Sequence, residues 1–278
     1  MQIYRDINSV RNFIQQQKEA GKKVGLVPTM GALHAGHLSL VRKSLADTDV
    51  SIVSIFVNPI QFNNPSDLEK YPNTFDQDIE LLQAAGCQNV FCPPAKTMYP
   101  TTPLITLDFK NLDKILEGKY RPGHFSGVGI VVSKLFNIIQ PNVAYFGQKD
   151  YQQFLIIRQL VQDFNVPVEL VCGEIIREPG GLAMSSRNQR LSPDERKTAG
   201  AIFRSLSTAK EKLGEKNMIE IRNEVELILS KSGLRLEYLE LADRSNLNIL
   251  QQIEPAVPSI LLMAAYLGEV RLIDNMFV

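Results

Sequence analysis

The chain is 278 residues long, 44% apolar and 22% charged, and its 30 Lys plus Arg balance 30 Asp plus Glu. That length suits one large or two modest domains with a real core, and the even charge excludes a global basic field for gripping nucleic acid. The opening MQIYRDINSVRNF has no cationic lead into an apolar stretch, and the longest apolar runs fall short of the roughly 20 residues that span a bilayer, so no signal peptide or membrane partner is expected.

The segment KKVGLVPTM reads as a short apolar strand ending in Pro28 and Thr29. After a glycine-bearing loop, Leu38, Val41 and Leu45 recur at helical spacing, which predicts an amphipathic helix over GHLSLVRKSLAD. VSIVSIFVN follows, apolar nearly throughout, as a parallel strand covered on both faces should be. Together these make one right-handed βαβ unit. The pattern then repeats. FDQDIELLQAAG predicts a helix with Gly86 just past its end, and NVFCPP a strand. GVGIVVSKLFNIIQ is a helix stopped by Pro141, NVAYFG a strand, and DYQQFLIIRQLVQDF another helix. Such alternation predicts an α/β fold with a doubly wound, Rossmann-like parallel sheet and ligands beyond the carboxyl ends of its strands.

The character changes after VELVCGEIIREPGGLAMSSRNQRL. SPDERKTAGAIFRSLSTAKEKL predicts one helix, with Ser192 as N-cap, Pro193 at the first position and Glu195 completing a capping box. MIEIRNEVELILSKSG is a second helix, closing at Gly233. LRLEYLELAD and parts of SILLMAAYLGEVRLIDNMFV alternate apolar with polar, which suits a small antiparallel sheet. A boundary near Glu174 to Pro179 is expected, leaving 1–175 as the doubly wound domain and 176–278 as a smaller α+β domain.

Chemistry concentrates where strands hand over to helices. In PTMGALHAGH, two of only three histidines, His34 and His37, meet the start of a helix whose amide N–H groups and dipole favour an anion. Gly31 and Gly36 let backbone approach a ligand. The bland reading is a pair of packed or capping imidazoles. Zinc is disfavoured, because the third histidine, His124, is distant and Cys87, Cys92 and Cys172 are never spaced C-x-x-C. In FVNPIQF, Asn58 and Gln61 offer uncharged amides for a hydroxyl or carboxylate, or simply a polar turn. FGQKDYQQ places Lys149 and Asp150 at another strand end, to neutralise phosphate and to cap a helix, ahead of Gln152 and Gln153. YRPGHFSGV holds Arg121 and His124 in a glycine- and proline-rich loop, and GGLAMSSRN sets Ser185 and Ser186 beside Arg187, able to fold over a triphosphate or to serve as a plain linker.

Taken in order, PTMGALHAGH, FVNPIQF, YRPGHFSGV, FGQKDYQQ and AMSSRN closely resemble the pantothenate synthetase (pantoate–beta-alanine ligase) family, most strongly from Val24 to Leu191. A lone H-x-G-H would indicate only the wider nucleotidyltransferase superfamily. The three cysteines, odd in number and without C-x-x-C spacing, predict a reduced, cytoplasmic protein, and the resemblance implies a homodimeric ligase. It would condense pantoate with beta-alanine at the expense of ATP, through pantoyl adenylate, with Mg²⁺. It also implies site residues. Met30, Gly31, Ala32, Leu33, His34, Ala35, Gly36 and His37 would line the ATP site, with Gly147, Gln148, Lys149, Asp150, Ile176, Met184, Ser185, Ser186 and Arg187. His37, His34, Lys149 and Arg187 would be catalytic, and Gln61, Gln153, Asn58 and Arg121 would bind substrate. Asp78 is the candidate magnesium contact, beside Gln77, which is not a carboxylate. The 176–278 domain would act as a lid. Rival readings are a nucleotidyl transfer to a phosphorylated cofactor precursor, a fragment of a tRNA synthetase, and a non-catalytic nucleotide-binding regulator.

Overall fold

The computed structural model describes residues 1–63 and 65–278, and the chain divides into two compact units, 1–147 with 153–173 and 148–152 with 174–278. The elements begin with β1 (Gln2–Tyr4), α1 (Ile7–Glu19), β2 (Val24–Thr29), α2 (Ala35–Asp47) and β3 (Val50–Ile55). Next come α3 (Pro65–Glu69), α4 (Phe75–Ala84), β4 (Asn89–Phe91), α5 (Ala95–Met98) and α6 (Leu116–Tyr120). Then follow α7 (His124–Ile139), β5 (Val143–Gly147), α8 (Tyr151–Asp163) and β6 (Glu169–Gly173).

In the first unit the strands form a six-stranded parallel sheet in the order β1-β4-β3-β2-β5-β6. Alternate strand residues serve opposite faces. Val24, Leu26, Val50, Ile52 and Phe146 join a core with Val10 and Ile14 of α1 and with Val128, Val131 and Leu135 of α7. Val27, Val53, Ile55, Val143 and Tyr145 join the other core, with Leu38 and Val41 of α2 and Leu82 of α4. A sheet buried on both faces explains why these strands read as continuous apolar runs. The sequence reverses its winding between β2 and β5, and the loop after β2 opens at that switch point, where doubly wound sheets take their ligands.

The second unit contains α9 (Pro193–Ala199), α10 (Ala201–Lys212), α11 (Met218–Lys231), β7 (Leu234–Asp243), β8 (Ile249–Leu250), β9 (Ser259–Leu267) and β10 (Val270–Phe277). Its four strands make an antiparallel sheet in the order β10-β9-β7-β8, packed on α10 and α11 through Ile202, Leu206, Ile221 and Val225. The single helix expected from Ser192 onward is two helices. At Gly200 the chain tightens, its N–H donating to the Lys197 carbonyl three residues back at 3.3 Å. The Ser192–Glu195 capping box is present at the start of α9. β1, α1 and β6 lie outside the predicted elements. Helix α1 buries fully only Val10 and Ile14, so its apolar period is faint, and it is started by Asp6 accepting from the Ser9 N–H at 2.8 Å. Among the described residues no helix is long and apolar enough to cross a membrane.

Candidate active site

The β2–α2 corner is built tightly. Gly31 and Ala32 both take positive φ, 78° and 50°, and a Cβ on Gly31 would lie 3.0 Å from the Asp78 carboxylate, so both conformation and space require glycine there. Asp78, only 2% exposed on α4, accepts from the Ala32 N–H at 2.9 Å through Oδ2 and from the Leu33 N–H at 2.7 Å through Oδ1. Thr74 Oγ1 also donates to Asp78 Oδ1, at 3.2 Å. Bonds of this kind to a charged acceptor each contribute about 1.5–3 kcal/mol. Both oxygens of Asp78, the residue expected to contact magnesium, are thus engaged in holding the loop.

His34 is the N-cap of α2, with Nδ1 accepting from the Gly36 N–H at 3.2 Å. In the neutral ring this puts the proton on Nε2 and makes that nitrogen a donor. The rings of His34 and His37 lie 4.0 Å apart, centroid to centroid, and both side chains are half-buried. With Gly31 N–H donating to Thr29 Oγ1 at 3.2 Å, the amides of residues 31, 32, 33 and 36 all donate within the protein. Of the first-turn amides of α2, that of Gly36 is thus engaged from inside, as are the loop amides of residues 31 to 33.

The NPIQ turn after β3 joins this corner through a chain of side chains. Tyr99 Oη donates to Asn58 Oδ1 at 2.8 Å, Asn58 Nδ2 donates to Gln61 Oε1 at 3.0 Å, and Gln61 Nε2 donates to Met30 Sδ at 3.0 Å. Burial pushes the Tyr99 phenol up, keeping it a neutral donor. From α7, His124 Nδ1 meets the Gln61 carbonyl at 2.9 Å, while its Nε2 lies 3.1 Å from the Arg121 guanidinium. A ring donating to the carbonyl through Nδ1 is left with an Nε2 lone pair to accept from Arg121. Asn58 Nδ2 also donates to the Gly127 carbonyl at 3.1 Å, and a Cβ on Gly127 would sit 2.6 Å from the Ile60 carbonyl oxygen. Gln153, on α8, is half-buried in the same unit.

Gly147 closes the first stretch of the first unit, and the remaining expected residues belong to the second. After Gly147, the segment Gln148–Asp150 forms a short 3-10 turn in which the Lys149 ammonium lies 3.6 Å from Asp150 Oδ1. The Ile176 carbonyl accepts from the Met184 N–H at 2.9 Å, which aligns two segments of the expected nucleotide site. Ser185 caps the next turn, its Oγ accepting from the Arg187 N–H at 3.3 Å. Asn188 secures this loop by donating to Glu178 Oε1 at 3.0 Å and to the Ala183 carbonyl at 3.1 Å. Beneath it, Arg177 binds Asp274 at 2.5 and 3.0 Å and the Gly181 carbonyl at 3.0 Å, with its guanidinium over the Phe203 ring. Burial raises the Asp274 carboxyl above the ordinary range, and the guanidinium opposes that shift.

Comparison with known proteins decides the family. The model of the Pantoate-beta-alanine ligase family matches residues 2–277. The chain belongs to that family. Among curated proteins, the pantothenate synthetase of Coprothermobacter proteolyticus is 45% identical, over 100% of this chain and 99% of its own length. Among solved structures, the pantothenate synthetase of Thermus thermophilus is similar with a TM-score of 0.91 at 37% identity, covering 99% of both chains. The pantoate-beta-alanine ligase of Francisella tularensis, crystallised with beta-gamma ATP and beta-alanine, gives a TM-score of 0.84 at 38% identity, covering 100% of this chain and 97% of that one.

Sequence reasoning passed over Tyr99, Arg177, Asp274 and Asn275, which hold these turns in place. One signal was available for the last pair. Asp274 and Asn275 interrupt an apolar final strand, and both are buried, at 4% and 2% exposure. A buried polar pair in a strand calls for partners.

Proposed function

We propose that this chain catalyses the ATP-dependent condensation of (R)-pantoate with beta-alanine to pantothenate, releasing AMP and pyrophosphate through a pantoyl-adenylate intermediate. The observation that carries this reading is the family match over residues 2–277, which includes the His34–His37 corner at the switch point of the sheet. In the first step a pantoate carboxylate oxygen attacks the α-phosphorus of ATP, the α–β bridging bond breaks, and pyrophosphate leaves. Two anions must approach, so electrostatic stabilisation dominates the barrier. His37, His34 through Nε2–H, Lys149 and Arg187 are the proposed donors to the phosphoryl and leaving oxygens, with Ser185 and Ser186. Gln61, Gln153, Asn58 and Arg121 are the proposed holders of pantoate. The Tyr99–Asn58–Gln61 chain supports this role for Gln61, because a side-chain amide with its carbonyl already satisfied presents N–H to a ligand. In the second step the neutral amine of beta-alanine attacks the acyl carbon and AMP departs. Bringing both reactants together accounts for much of that barrier.

Magnesium is proposed to arrive with the nucleotide. Among the described residues no group of three His, Cys, Asp or Glu side chains is arranged to hold a metal ion, and Asp78 is engaged by amides. The protein side chains do not fit a metal cage of their own. Magnesium commonly binds through substrate phosphates with few protein ligands.

A homodimer built on the first unit is proposed as well. A cavity of about 1160 Å³ there is lined by Tyr99, Leu107, Phe136 and Val166, and its rim exposes Leu104, Ile105 and Phe164 at 99%, 66% and 59%. Apolar groups so exposed fit coverage by a second copy. Light scattering on wild type and Leu104→Asp checks it: a dimer for the first and a monomer for the second is expected. The three cysteines are free thiols, in keeping with a cytoplasmic location. Residues 176–278 are proposed as a lid that carries Ser185 to Arg187 to the nucleotide, and ATP should then protect the 180–187 loop from protease. The direct test of the activity is AMP release with pantoate, beta-alanine or ATP omitted in turn. AMP release that persists without pantoate would contradict the reading.

A further inference from the structure

Lys149 is flanked by two peptide planes, one carrying the Gln148 carbonyl and the other its own. Both carbonyls accept from one side chain: Asn275 Nδ2 donates to the Gln148 oxygen at 2.9 Å and to the Lys149 oxygen at 2.9 Å. The amide's remaining atom is also engaged, Asn275 Oδ1 accepting from Gln148 Nε2 at 3.1 Å. We propose that Asn275 is a positioning residue for adenylation, fixing the backbone on both sides of Lys149 and so the direction in which its ammonium group is presented. This rests on the proposed role of Lys149 in the nucleotide step.

The physical case is one of constraint. Pinning the planes before and after a Cα fixes φ and ψ there, and with them the Cα–Cβ vector. Asn275 is itself immobilised. It is 2% exposed, and its own N–H donates at 2.8 Å to Asp274 Oδ1, whose carboxylate is held by Arg177. The other end of the segment is tied to the same strand. Tyr151 packs edge-on against Phe277 with ring centroids 5.4 Å apart, and Tyr151 Oη donates to the Arg244 carbonyl at 3.0 Å. These ties surround a lysine whose side chain is only 15% exposed. A small misplacement of a catalytic group is enough to lower a rate by about a hundredfold.

The test is a double-mutant cycle of Asn275→Ala and Lys149→Ala, read by pantoate-dependent exchange of labelled pyrophosphate into ATP, with melting temperatures measured in parallel. Asn275→Ala is expected to lower kcat/KM for ATP by about 10–100-fold. In the Lys149→Ala background the same change should cost less than about threefold, because the group it positions is already gone. Losses that multiply across the cycle would overturn the inference, as would wild-type activity in folded Asn275→Ala. Should Asn275→Ala not fold, Asn275→Ser, whose hydroxyl donates one bond in place of two, is judged by the same criterion. Absence of exchange in the wild-type protein would instead defeat the proposed function, so the two failures are separable.

Discussion

The two turns proposed to meet the nucleotide are held by opposite means. At the β2–α2 corner a carboxylate, Asp78, accepts from two backbone N–H groups, whereas at Gln148–Asp150 an amide, Asn275, donates to two backbone carbonyls. Each anchor is buried and far away in sequence, 46 residues in one case and 127 in the other. The difference follows which backbone groups each turn presents to its anchor: the β2–α2 loop presents N–H groups and takes an acceptor, while Gln148–Asp150, which also leads into a helix, presents carbonyls and takes a donor. It also has an electrostatic consequence. Asp78 is a carboxylate behind the corner proposed to meet ATP, which is why the imidazoles of His34 and His37 are the donors proposed there, whereas Asn275 is an uncharged amide.

The largest expected effect tests that division of labour. His37→Ala should lower pantoate-dependent exchange by about 10²–10³, roughly 2.7–4 kcal/mol in the transition state, with little change in melting temperature. Asp78→Asn comes next. It keeps the shape but turns one acceptor into a donor facing an N–H, and should cost roughly 1.5–3 kcal/mol of stability, seen in urea titration, while raising KM for ATP. A result in which Asp78→Asn abolished magnesium dependence without loss of stability would instead favour the metal contact expected at this residue. Gly127→Ala should cost about 1–3 kcal/mol through collision with the Ile60 carbonyl, and should raise KM for pantoate more than KM for ATP. Smallest is the capping box of α9. Ser192→Ala should lower stability by about 1 kcal/mol and leave turnover unchanged. Glu195 is held below its ordinary value chiefly by the Ser192 N–H, so its contribution is present above the usual carboxylate range and is lost as pH falls through the depressed value. Glu195→Gln should therefore flatten the acid limb of a stability-against-pH curve.

Much of the fold was legible in the residues because periodicity reports burial directly. The runs of β2, β3 and β5 are apolar on both faces and announced a covered parallel sheet, and the capping signals at Ser192 and Gly86 marked helix ends. β1 escaped because three residues carry no period, and α1 because its polar side chains hide two core contacts. The site was legible as motifs but not as mechanics. Nothing local in DQDIELL announces a loop anchor, since that role is visible only in the arrival of the Ala32 and Leu33 amides from 46 and 45 residues away. Likewise, the spacing of His34 and His37 promises two donors, but only the cap bond to Gly36 reveals which nitrogen of His34 keeps its proton.

The central proposal is that the imidazoles of the β2–α2 corner activate ATP for attack by pantoate. It is tested most directly by labelled pyrophosphate exchange in wild type and His37→Ala, run side by side without beta-alanine. Exchange that requires pantoate and falls at least a hundredfold in the variant is the predicted result. Exchange that proceeds without pantoate, or that survives the loss of the imidazole, would contradict it.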